Sequence, residues 1–130
     1  MKVFLGGTCN GSKWRDELIP KLKIDFFNPV VEDWTPECQE EELKQRQECD
    51  YCLYTITPKM TGVYSIAEVV DDSNKRPEKT ILLILRKDGD DVFTDAQEKS
   101  LNAVLNMVLE NDAYAFLTLN QVAEFLNYES

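Results

Sequence analysis

Short apolar runs alternate with amphipathic stretches along the whole chain. The runs "KVFLGG" (2–7), "DFFNPVV" (25–31), "DYCLYTITP" (50–58), "KTILLILR" (79–86) and "AYAFLTL" (113–119) have the length and the β-branched and aromatic content of strands. Helix-like segments lie between them. The first is expected from about Ser12, as N-cap, to about Leu22, and the second is the highly charged "ECQEEELKQRQEC" (37–49). A third begins near Thr61, with apolar residues at Val63, Ile66, Ala67 and Val70 on its core-facing side. "KDGDD" reads as a turn, and after it Thr94 and Gln97 form a capping box ahead of the stripe Leu101, Val104, Leu105 and Val108. "NQVAEFLNYE" (120–129) is the last helix. "KTILLILR" is apolar at almost every position, as a strand covered on both faces must be. Strands alternating with helices predict an α/β fold, a flavodoxin-like doubly wound sheet of five parallel strands in a three-layer α/β/α arrangement.

Composition narrows this picture. A chain of 130 residues, 43% hydrophobic, fills one core and not two, so a single domain is expected. No apolar run approaches a membrane span, and "MKVFLGG" is too short for a signal peptide; a soluble, cytoplasmic protein without membrane contact is expected. With 24 acidic and 14 basic residues the net charge is −10, which repels a nucleic-acid polymer. A single phosphate can still be held locally at clustered backbone amides. Histidine is absent, which excludes a Ser/His/Asp triad and a His-ligated zinc site and leaves proton transfer to carboxylates, Tyr, Cys or Lys. The pair Cys49 and Cys52 in "CDYC" invites a redox or metal reading. Cys49 is expected to end a helix and Cys52 to lie in a strand, the reverse of a thioredoxin-like pair, so both read better as small buried hydrophobes.

In a doubly wound sheet ligands bind outside the carboxyl ends of the strands, near the reversal of strand order. The loops after the first three strands are therefore the ones to inspect. "GGTCNGSKWR" offers Gly6, Gly7, Thr8, Asn10 and Ser12 to an oxyanion or a sugar hydroxyl, with Arg15 adding charge; a tight structural turn explains the same residues. "EDWTPE" sets Asp33 beside Trp34, suited to stacking on and hydrogen-bonding a planar heterocycle, or else to packing over the sheet edge. In "TGVYSIAEVV", Glu68 falls off the apolar stripe with Tyr64 four residues earlier on the same side. That is either a solvated glutamate or one bordering the cleft. One of Glu40, Glu41 and Glu42 over the same cleft would separate the two pKa values into an acid and a nucleophile.

The ordered series "VFLGGTCNG" and "TGVYSIAEVV" resembles the nucleoside 2-deoxyribosyltransferase-like family, which includes deoxynucleoside monophosphate N-glycosidases. The similarity covers most of residues 1–85, and the C-terminal part only in general pattern. It implies a flavodoxin-like fold, a glycine-rich loop after the first strand, and Glu68 as catalytic nucleophile. The family's acid eight residues ahead of a strand-opening aspartate falls on Glu42, with Asp50 as the opening residue. Tyr64 stands where the family usually has glycine, Gly62 comes two residues earlier, and Lys59 and Met60 replace acids. The resemblance implies that Glu68 attacks the anomeric carbon of a nucleoside or nucleotide, with Glu42 or Asp33 holding or protonating the departing base and Tyr64 orienting Glu68. It implies no cofactor and no metal, and a homo-oligomer in which a neighbouring subunit completes the pocket. The competing expectation is a nucleotide-binding or sequestering module that keeps the fold without the reaction; a weaker one is a thiol-dependent protein built on "CDYC".

Overall fold

A computed structural model describes residues 1–31 and 33–129. Glu32, the first residue of the expected "EDWTPE" loop, and Ser130 lie outside the described residues. In chain order the elements are β1 (Lys2–Gly7), α1 (Trp14–Leu18), β2 (Asp25–Phe27), α2 (Pro36–Glu48), β3 (Tyr51–Ile56), α3 (Tyr64–Lys75), β4 (Thr80–Ile84), β5 (Lys87–Asp88), β6 (Asp91–Val92), α4 (Asp95–Glu110), β7 (Tyr114–Phe116) and α5 (Leu119–Glu129). Five strands form one parallel sheet in the order β2-β1-β3-β4-β7, which is the flavodoxin-like order. The expected fold class stands.

Alternation along the strands divides the core in two. Phe4, Cys52, Tyr54, Ile56, Leu82 and Ile84 face the layer holding α3 and α4, where Val69, Leu101 and Val108 meet them. Val3, Leu5, Leu53, Ile81 and Leu83 face α1 and α5, packing on Trp14, Leu18, Val122 and Leu126. Burying both faces of β4 leaves its entire span inaccessible.

Three local expectations need correction. The first helix starts at Trp14 with Lys13 in the N-cap position and no side-chain cap, and it tightens into a 3₁₀ turn at Ile19–Lys21 around Pro20. Ser12 is therefore not its cap; its Oγ is buried without a partner among the described residues. The third helix starts at Tyr64, and its inward face runs through Ile66, Val69, Val70 and Ser73, leaving Val63 and Ala67 exposed. "KDGDD" is more than a turn: β5 and β6 pair antiparallel around it. The capping box at Thr94 and Gln97 forms as its spacing requires.

Candidate functional site

The strand order reverses between β1 and β3, and the loops leaving these two strands are tied together. Gly7 adopts φ 118°, and a Cβ there would stand 2.1 Å from the Thr55 carbonyl oxygen, so only glycine allows β1 and β3 to approach this closely. The next residue continues the seam: the Thr57 amide donates to Thr8 Oγ1 at 3.0 Å. Further out, Asn10 Nδ2 donates to Thr61 Oγ1 at 2.6 Å and to the Lys59 carbonyl at 3.2 Å. The β5–β6 hairpin props the second loop, Thr57 donating to Asp88 at 2.6 Å and Lys59 Nζ pairing with Asp91 at 2.9 Å.

One cleft opens at this seam and a second beside it, between α2 and α3. One, of about 280 Å³, is walled by Gly7, Thr8, Cys9 and Asn10 on one side and by Met60, Thr61, Gly62, Tyr64 and Ser65 on the other. The second, of about 220 Å³, is walled by Arg46, Tyr64, Ala67, Glu68 and Asp71. Tyr64 borders both, and its side chain is largely exposed. Among the described residues no hydrogen bond joins it to Glu68, with which it lines the second cleft.

Glu68 is 17% exposed in its side chain, with Oε2 3.7 Å from Arg46 Nη1. Burial pushes its carboxyl up to about 7; Arg46 pulls the other way, and Glu42 and Asp72 add to the rise. Glu42 is half-buried on α2, and burial raises its carboxyl too, offset in part by Arg15. Glu42 and Arg46 are one helical turn apart, as are Glu68 and Asp72, so two facing helix surfaces carry the whole set.

Beneath lies a group that sequence reasoning did not single out. Asp72 is fully buried and accepts from Arg46 Nε and Nη2, each at 3.0 Å, from the Tyr54 hydroxyl and from Arg76. Burial works to raise the Asp72 carboxyl, but these hydrogen bonds outweigh it and hold it below the usual carboxylate range. Gly6 makes room for this arrangement, since a Cβ there would come 2.8 Å from the Tyr54 ring. Its signal in the sequence was the spacing alone: an acid four residues after Glu68 and an arginine four after Glu42.

Other expected site residues fall elsewhere. Arg15 is buried and its guanidinium is spent on the carbonyls of Leu5, Gly7 and Thr8, at 2.7–3.3 Å, while stacking on Trp14. It clamps the glycine-rich loop rather than offering charge to a phosphate. Asp33 and Trp34 are exposed on the loop after the edge strand β2, and neither walls either cleft. Cys49 and Cys52 are buried thiols outside any disulfide, and burial raises both, Cys52 to about 12, which disfavours a thiolate in the "CDYC" pair.

No group of acids and cysteines among the described residues has the arrangement to hold a metal ion, and no helix among them is long and apolar enough to cross a membrane. A search of curated proteins finds no match. A family model described as nucleoside 2-deoxyribosyltransferase like matches residues 1–86, the segment that carries both clefts and every side chain around Glu68. The chain belongs to the nucleoside 2-deoxyribosyltransferase-like family.

Proposed function

We propose that the protein cleaves or transfers the N-glycosidic bond of a small nucleoside or nucleotide, with Glu68 as nucleophile. The observation that carries this reading is Glu68 itself, a mostly buried carboxylate at a cleft edge, paired with Arg46 and in the field of a second raised carboxyl. Glu68 is the more strongly raised of the two, so the reactive form is the one in which Glu68 has given up its proton and Glu42 holds one. Glu68 attacks the anomeric carbon and forms a glycosyl ester as the bond to the base nitrogen breaks. The leaving electron pair stays on the base, which takes the proton held by Glu42. Water or a second base then displaces the ester, returning the anomeric configuration to that of the substrate. Thr8, Asn10, Thr61 and Gly62 supply hydroxyl, amide and backbone groups to the sugar side.

The test is incubation with deoxynucleosides, ribonucleosides and their monophosphates, with and without an acceptor base, following free base by chromatography. Release in the wild type, reduced at least about 100-fold in Glu68→Gln, is expected. Unchanged turnover in that variant, or no release from any substrate, rules the reaction out. One observation favours the sequestering alternative: Tyr64, at the place where the family resemblance implies glycine, borders both clefts. Stabilisation of melting by a nucleotide without base release identifies that alternative.

A further inference from the structure

We propose that Arg46 and Asp72 form the positioning device of the site, Asp72 fixing the guanidinium so that its remaining edge faces Glu68, aims that carboxyl and favours its charged form. The proposal rests on Glu68 being the nucleophile, but its geometry belongs to the pair. Asp72 takes Nε and Nη2 side-on at 3.0 Å each, which sets the plane of the guanidinium. Nη2 also reaches Asp71 at 3.0 Å. A clamp between α2 and α3 is complete with these bonds. Nη1 makes none of them; it stands 3.7 Å from Glu68 Oε2, at the wall of the cleft. That separation is an ion pair too long for a hydrogen bond, so Arg46 stabilises charge on Glu68 without tying up its lone pairs.

Asp72 in turn has no freedom to follow Glu68. It is fully buried, held from β3 by the Tyr54 hydroxyl and from the end of α3 by Arg76. The charged and titratable groups facing Glu68 are Glu42 and Arg46 from α2, and Tyr64, Asp71 and Asp72 from α3. Arg46 is the one cation among them. Asp71 and Asp72 together hold Nη2, which leaves Nη1 as the edge turned to Glu68.

The experiment is a carbon-13 NMR titration of the Glu68 carboxyl, assigned with Glu68→Gln, in the intact wild type, Arg46→Lys and Asp72→Asn. Lysine keeps the charge but lacks the planar fork that spans Asp72 and faces Glu68. The Glu68 midpoint is expected to rise by about one pH unit in Arg46→Lys. In Asp72→Asn, losing a nearby negative charge by itself lowers the midpoint, whereas losing the anchor of Arg46 raises it; a rise is expected. An unmoved midpoint in Arg46→Lys, or a fall in Asp72→Asn, overturns the proposal. If Asp72→Asn does not fold, Arg46→Lys decides alone. With substrate, the acidic limb of kcat/KM is expected to move with the midpoint while KM changes less than twofold. Absence of base release by the wild type would refute the reaction and leave the titration able to judge the pair.

Discussion

Glu68 costs the protein stability in return for a reactive carboxylate. Its carboxyl titrates near 7 in the fold and near 4.5 when free, so the folded state binds this proton more readily. The associated stability is fully present below about pH 4.5 and is lost as pH rises through about 7. Glu68→Gln removes the ionised form altogether. It is therefore expected to melt roughly 2–6 °C above the wild type at pH 8 and at the same temperature at pH 4. Calorimetric scans at the two pH values check this; an equal difference at both would contradict it. Residues of this kind were partly legible beforehand. Glu68 and Glu42 stood out through an ordered motif, and helical spacing set Tyr64 beside Glu68. Asp72 and Arg46 did not, because a buried ion pair and a solvated charge run look alike when only residue types are counted.

At the scale of elements, α2 is the odd member. Arg46 is its one buried residue, so this helix docks through a guanidinium rather than through an apolar stripe. Its C-terminal carbonyls are held by Cys52 Sγ on Arg46 and by Lys79 on Gln47. Arg46→Met leaves Asp72 buried with one cation fewer, and a loss of about 3 kcal/mol is expected. Hydrogen exchange should locate it: the α2 amides lose protection first, while β1, β3 and β4 keep theirs. Uniform loss across the sheet would show that the docking extends beyond Arg46. The same physics explains why the strands were legible and the face of α3 was not. β4 buries both sides and so reads as a continuous apolar run. The inward face of α3 ends in Asp72 and Ser73, residues that a search for hydrophobic periodicity assigns to solvent, and this rotated the expected stripe onto Val63 and Ala67.

For the molecule as a whole, three layers built around one parallel sheet bring two distant loops to a single seam between β1 and β3, one from each side of the strand-order reversal. That seam was predictable from topology alone. Its fastening was not, since Asn10 meets Thr61 and Thr57 meets Asp88 across long stretches of chain that no local pattern connects. The seam has a practical consequence through its cysteine. Of four thiols, Cys49 and Cys52 are sealed in the core and Cys38 is partly covered, while Cys9 is exposed on the wall of the larger cleft. A maleimide dye at one equivalent is expected to modify Cys9 first, as peptide mass mapping would show, and bound nucleoside should slow that labelling at least about threefold. The exposed thiol thus offers a labelling rate by which ligands can be screened before any reaction product is known.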